Sequence, residues 1–104
     1  MQLNDYQKKA EEFHQFKSIM YPYFALPEEV GEFLGKMAKL HRGDFTPDDA
    51  FIKALRKELG DVLWCVAALA SINGWTLEQV AEENVQKLTD RKERNVIKGE
   101  GDER

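Results

Sequence analysis

The segment from Val62 to Ala70 constrains the fold more than any other part of this chain. Every residue in it is apolar, and it continues a pattern in which Phe51, Ile52 and Leu55 fall on one side of a helix. A helix that is apolar all round must be buried all round. The chain has only 104 residues, which is too few to surround such a helix. We therefore expect several copies of the chain to pack around this segment.

Apolar residues recur with a period of 3.6 throughout the chain, and the two-residue alternation of β-strands is absent. This pattern predicts an all-α, four-helix single domain that forms an oligomeric helical bundle. The first helix is expected to start after Asn4, a good N-cap, and to end at the proline-containing break at residues 21–23. The second is expected to have Pro27 in its first turn and to stop at Gly43.

The third helix is predicted to be capped at Thr46 and to run from the following proline to about Ile72. Thr76 then begins a capping box that opens the fourth helix. After this helix the chain becomes rich in glycine and charge. We therefore predict one domain over residues 1–95 and a tail over residues 96–104.

Composition excludes several kinds of partner. The formal net charge is -4, from 15 basic and 19 acidic residues, which disfavours nucleic acid as a partner. The longest apolar run is far shorter than the ~20 residues that cross a bilayer, so no membrane partner is expected. The single cysteine, Cys65, excludes an internal disulfide and fits a reduced, buried thiol. These features predict a cytoplasmic protein.

Two short acidic clusters stand out: Glu28 and Glu29 with Glu32, and Glu58 with Asp61. Members spaced by three residues share one side of a helix. The side that carries Glu58 and Asp61 is otherwise apolar, and buried carboxylates are costly unless a cation pairs with them. Two facing helices that each offer such carboxylates would form an oxygen-rich site suited to Mg²⁺ or Mn²⁺.

The acidic residues have two other interpretations. In an ordinary solvated helix face, Glu32 would pair with Lys36, and Glu58 or Asp61 would pair with Lys57. A ferritin-like di-iron bundle would need Glu-x-x-His pairs, and neither histidine of the chain supplies the set of pairs required. A site built from oxygen ligands alone favours phosphate chemistry over oxygen activation.

The order of these motifs resembles that of a known family, the all-α nucleoside triphosphate pyrophosphatases, and in particular its MazG-like group. The resemblance covers essentially the whole chain. It is carried by Glu-Glu-x-x-Glu at 28–32, Glu-x-x-Asp at 58–61, Asn-x-x-Lys-x-x-x-Arg at 84–91, and the glycine-rich end at 99–104.

The resemblance implies Mg²⁺-dependent hydrolysis of a nucleoside or deoxynucleoside triphosphate to the monophosphate and pyrophosphate, as nucleotide-pool house-cleaning. It implies four metal ligands at the matching positions: Glu29, Glu32, Glu58 and Asp61. Glu28 would orient or deprotonate the attacking water, or hold a lysine. It also implies a homodimer or homotetramer with its sites against subunit interfaces.

Asn84, Lys87 and Arg91 share one face of the fourth helix. They are expected to contact the phosphates or the sugar, because an amide and two cations suit those groups. The alternative is a solvated polar face. Trp64, one turn beyond Asp61, is the best placed of the aromatic residues to stack on the base.

Two further alternatives stay open from the sequence. One is a pyrophosphatase of the same superfamily directed at dUTP or phosphoribosyl-ATP. The other is a non-enzymatic helical oligomerisation or regulatory module, in which the acidic residues form structural ion pairs.

Overall fold

Four α-helices account for the regular structure of the chain: α1 (Leu3–Glu11), α2 (Tyr21–Arg42), α3 (Asp49–Ile72) and α4 (Leu77–Glu93). The computed structural model describes all 104 residues and contains no β-strand. The predicted all-α, four-helix single domain is therefore confirmed. No helix combines the length and the apolar composition that crossing a bilayer would require.

The start of α1 differs from the prediction. Gln2, not Asn4, is the N-cap, and it forms a capping box with Asp5. Asn4 instead lies inside the first turn, where its side chain joins α1 to α4: its Oδ1 accepts a hydrogen bond from the backbone N–H of Glu78 at 3.1 Å. A tertiary contact has therefore taken the side chain that the sequence suggested as a cap.

The start of α2 was also predicted wrongly. Pro22 lies in the first turn of the helix and does not break the chain there, and Pro27 is inside the helix. On the sequence alone either proline could lie in the first turn, which needs no backbone N–H donor. In the structure only Pro22 does: α2 begins at Tyr21, the Pro22 ring is fully buried, and Pro27 lies beyond the first turn. The predicted end is correct, since Gly43 closes α2 with a φ of 94°.

The ends of α3 and α4 follow the sequence more closely. The cap of α3 is Asp48, whose side chain accepts a hydrogen bond from the N–H of Phe51 at 2.9 Å, so the predicted cap at Thr46 was two residues early. α3 ends at Ile72 as predicted. Thr76 caps α4 as predicted, and its hydroxyl accepts a hydrogen bond from the N–H of Gln79 at 3.0 Å.

The helices pack around α3, which contacts each of the other three, whereas α2 and α4 do not touch each other. The junction of α1, α3 and α4 is held by the buried amide of Gln7. Its nitrogen donates to the hydroxyl of Ser71 at 3.0 Å and to the carbonyl of Trp75 at 2.9 Å. Its oxygen accepts from the N–H of Leu77 at 2.7 Å. This polar clamp fixes where α4 leaves the body of the chain.

A single chain leaves much of its apolar surface uncovered. Its accessible surface is 8036 Å², whereas a compact protein of this mass exposes about 6000 Å². Its radius of gyration is 16.7 Å, against about 13 Å for a compact domain of this length. Several large apolar side chains remain exposed, among them Phe13 at 59%, Leu34 at 56% and Val85 at 62%. Within Val62–Ala70 itself, Leu63 is still 41% exposed.

Candidate metal centre

Three carboxylates converge where α2 packs against α3. Glu29 and Glu32 lie one turn apart on α2, and Glu58 lies on α3. One carboxylate oxygen from each lies within 4.8 Å of the others. The spacing of three residues on α2 places both of its carboxylates toward the same neighbouring helix. The structure therefore brings together three of the four residues predicted to bind a metal.

No cation of the chain neutralises this cluster. The structure contains five ion pairs, and none includes Glu29, Glu32 or Glu58. The pairs with Lys36 and Lys57 that a solvated helix face would form are absent. One oxygen of Glu29 and one of Glu58 are buried without any hydrogen-bond partner. Buried carboxylate oxygens require a partner, so this donor set fits a divalent cation that prefers oxygen.

Glu28 and Asp61 border the cluster and are exposed. Asp61 lies outside the group of three converging oxygens, but its charge raises the pKa of both Glu29 and Glu32. Glu28 lines a shallow, wholly polar cavity of about 450 Å³ together with Glu32 and Glu58; the other lining residues are Gly31, Gly35, Lys36 and Lys39.

The electrostatics of the cluster are those of crowded like charges. Burial raises the pKa of Glu29, and the charges of Glu32 and Asp61 raise it further. The pKa of Glu32 is raised first by Glu58, because protonated Glu32 can donate a hydrogen bond to that carboxylate, and then by the charge of Glu58. Both shifts oppose the fully ionised state and favour a proton or a metal ion at this position.

α1 lies on the side of the site where Asp61 is, and contributes Tyr6 there. The pKa of the Tyr6 phenol is raised by burial and then by the charges of Asp61 and Cys65. The pKa of the Cys65 thiol is raised by burial and then by Glu29 and Asp61. Cys65 is 1% exposed, so it lies beside the acidic cluster as a buried thiol, in agreement with the burial expected from its neighbours.

Without metal, the protein should become more stable as the pH falls from neutral. The folded-state pKa values of Glu29 and Glu32 are raised, so the folded chain binds protons before the unfolded chain does, and the free energy of unfolding falls as the pH rises through this window. The window extends upward from the ordinary glutamate pKa of about 4.3. Asp102 acts at lower pH, because its pKa is lowered and its contribution is lost only as the pH falls through that lowered value.

This pH dependence can be measured by urea unfolding in EDTA between about pH 5 and pH 8. Excess Mg²⁺ should flatten or reverse the trend, because protons and the metal ion compete for the same oxygens. A stability that rises with pH across this range in EDTA would show that the carboxylates do not converge in solution.

The predicted substrate residues on α4 are not brought to this cluster within one chain. α4 makes no contact with α2, which carries Glu29 and Glu32. Asn84 and Lys87 line a separate cavity of about 540 Å³ on the α4 side. Lys87 and Arg91 both bind the carboxylate of Asp102, a residue that the sequence pattern placed in a tail.

Trp64 lies beside the connection between α1 and α2. Its indole Nε1 donates to the carbonyl of Ala10 at 3.3 Å, and it lines a cavity of about 510 Å³ with Phe16 and Tyr21. His14 packs edge-on against Trp64, with ring centroids 5.6 Å apart, and its Nε2 is buried without a hydrogen-bond partner. The contact of His14 with Trp64 was not predicted, because the sequence indicated one helix as far as residues 21–23, whereas α1 ends at Glu11 and His14 lies in the connection that follows.

Comparison with known proteins identifies the family of the chain. Residues 18–96 match the MazG nucleotide pyrophosphohydrolase domain, a range that includes both acidic clusters and the Asn-Lys-Arg face of α4. The chain is 38% identical over 91 residues to the Gene 37 protein of Mycobacterium phage L5, covering 85% of this chain and 78% of that protein. No solved structure gives a significant match. The chain therefore belongs to the MazG nucleotide pyrophosphohydrolase family.

Proposed function

We propose that this chain hydrolyses nucleoside or deoxynucleoside triphosphates to the monophosphate and pyrophosphate in the presence of Mg²⁺, which Mn²⁺ can replace. The observation that carries the proposal is the convergence of Glu29, Glu32 and Glu58, with buried oxygens and no ion pair to any cation of the chain. Membership of the MazG family supplies the reaction class.

Each acidic residue has a role in this proposal. Glu29, Glu32 and Glu58 would hold the metal ion, and Asp61 would complete the set from its exposed position on the next turn of α3. When bound, Mg²⁺ would neutralise the triphosphate and favour attack of water at the α-phosphorus. Glu28, exposed at the rim, would orient or deprotonate that water, or hold a lysine.

The substrate-binding residues on α4 are proposed to come from a second copy of the chain. Within one chain α4 does not pack against α2, so Asn84 and Lys87 lie apart from Glu29 and Glu32. The excess accessible surface and the exposed Leu63 support burial between copies. A homodimer, or a homotetramer of two dimers, would cover this surface and bring α4 of one chain toward the carboxylates of another.

Recognition of the base is assigned to Trp64. Its ring lines an aromatic cavity and belongs to the turn of α3 that follows Asp61. A role in cleaning the nucleotide pool suits a site that reads the base by stacking, since stacking tolerates several bases. Substrates such as dUTP or phosphoribosyl-ATP would use the same carboxylates and differ in this cavity.

Product analysis tests the proposal directly. The protein is incubated with a panel of NTPs and dNTPs, with Mg²⁺, with Mn²⁺ and with EDTA, and the products are separated by ion exchange. We expect metal-dependent formation of monophosphate and pyrophosphate in equal amounts. Formation of diphosphate and orthophosphate would show that another bond is cleaved. No turnover of any nucleotide would favour a non-enzymatic helical assembly.

A further inference from the structure

The segment after α4 has a defined conformation, whereas the sequence suggested a tail. We call residues 95–104 the C-terminal strap. Its backbone turns at Asn95, with a φ of 58°, and again at Gly99 and Gly101, with φ values of 136° and 87°. Glycine adopts such conformations without steric cost. The strap thereby folds back on the end of α4.

The side chain of Arg104 holds the strap in this shape by binding backbone carbonyls of the strap itself. Its guanidinium donates to the carbonyl of Val96 at 3.0 Å, of Ile97 at 2.7 Å and of Gly101 at 2.6 Å. The carbonyl of Arg104 in turn accepts a hydrogen bond from Arg94 on the last turn of α4. A loosely docked tail would not satisfy one side chain with three backbone carbonyls, so the strap is a fixed part of the fold.

Asp102 is the residue through which the strap reaches the charged face of α4. Its carboxylate accepts hydrogen bonds from Nζ of Lys87 at 2.9 Å and from Nη2 of Arg91 at 3.2 Å. Its main-chain carbonyl also accepts from Nη2 of Arg91. The hydrogen bonds from Lys87 and then Arg91 lower the pKa of Asp102, in agreement with an ionised carboxylate between two cations.

The two cations have different exposures. The Arg91 side chain is only 7% exposed, whereas the Lys87 side chain is 42% exposed. Arg91 is therefore committed to the strap, while Lys87 uses one of its three N–H donors on Asp102 and keeps the others available. Cations four residues apart on a helix repel each other, so without Asp102 the flexible Lys87 side chain would move away from Arg91.

We propose that Asp102 is a positioning residue that holds Lys87 in place to bind a substrate phosphate, and that Arg91 serves to anchor the strap. This inference rests on the proposed function, because it assigns Lys87 to the phosphates. It differs from an inhibitory role, in which the strap would have to leave before substrate could bind.

The test compares Asp102→Asn with two matched variants. Glu103→Gln removes the neighbouring exposed carboxylate, which has no hydrogen-bond or ion-pair partner. Asp102→Glu keeps the charge. We expect Asp102→Asn to raise KM for the best dNTP by about two- to fivefold, the range typical of an ion pair between exposed side chains, with kcat within about twofold. Asp102→Glu should restore most of the loss, and Glu103→Gln should match the wild type.

A binding measurement separates this inference from the proposed function. Calorimetric titration with inorganic pyrophosphate in EDTA should show weaker binding to Asp102→Asn by a similar factor, whether or not the wild type turns over nucleotides. An unchanged KM and pyrophosphate affinity in Asp102→Asn would overturn the positioning role, as would a lower KM, which would make the strap inhibitory. Equal losses in Glu103→Gln would also overturn it.

Discussion

Glu58→Gln should abolish nucleotide hydrolysis and at the same time stabilise the metal-free protein. One oxygen of Glu58 is buried without a partner beside Glu29 and Glu32. Glutamine has nearly the same shape, removes one of three converging charges, and can donate a hydrogen bond to the remaining carboxylates. Loss of Glu58 as a metal ligand should lower kcat/KM at least about 100-fold, since substitution of residues that hydrogen-bond to metal ligands already lowers affinity or activity about 10- to 100-fold. Product analysis and thermal unfolding in EDTA measure the two effects.

The pair of opposite effects makes this prediction specific. Glu82→Gln is the matched control, because Glu82 is an exposed glutamate on α4 away from the cluster, and it should leave both quantities unchanged. A further check is the increase in unfolding temperature on adding Mg²⁺, which should be present in the wild type and reduced in Glu58→Gln. If Glu58→Gln hydrolyses nucleotides normally, Glu58 is not a metal ligand. If it unfolds more readily in EDTA, Glu58 has a structural role.

The acidic centre could be predicted because it depends on local geometry. Glu29 and Glu32 are separated by nearly one helical turn, so any helix that contains them presents both to one side. The apolar residues around Glu58 then indicate that this side faces another helix. Convergence of the three carboxylates needs only that α2 and α3 pack together, which is the usual outcome for two long helices joined by a short connection.

Features that depend on contacts between distant parts of the chain were not predictable in the same way. On the sequence alone Pro22 and Pro27 satisfy the first-turn rule equally well, and burial of the Pro22 ring decides where α2 begins. Asn4 is a good N-cap by type, but its contact with Glu78 on α4 places it inside the helix. Asp102 carries no local signal, because its partners lie on the preceding helix and are reached only after the chain has turned at Asn95, Gly99 and Gly101.

The apolar residues of α3 show how predicted burial differs from burial within one chain. The sequence predicted that Val62–Ala70 is buried on all sides, and within one chain its Cys65, Ala67 and Ala68 are nearly inaccessible while Leu63 is 41% exposed. Burial within one chain accounts for part of the predicted pattern, at Cys65, Ala67 and Ala68. The remaining exposed apolar surface, at Leu63 for example, is what the proposed homo-oligomer would cover.

Two inactive variants of this chain should restore activity when mixed. Glu58→Gln removes a carboxylate from α3, and the double variant Asn84→Ala with Lys87→Ala removes the proposed substrate contacts from α4. If α4 serves the carboxylates of a neighbouring chain, a mixed dimer contains one intact site and one doubly defective site. Random exchange of subunits makes half of the dimers mixed, so the activity should recover to about a quarter of the wild-type value.

The recovery depends on which chain supplies α4, so the arrangement itself is under test. Mixing Glu58→Gln with Glu29→Gln is the matched control, because both substitutions affect carboxylates of the same chain's cluster and no combination of these subunits contains an intact site. The variants are mixed after mild denaturation in urea and refolding, and product formation is measured against each variant alone. Equal activity in the control and test mixtures would mean that the recovery does not come from combining the carboxylates of one chain with α4 of another. No recovery in the test mixture, with subunit exchange verified by mass spectrometry of tagged chains, would show that α4 does not serve the carboxylates of a neighbouring chain.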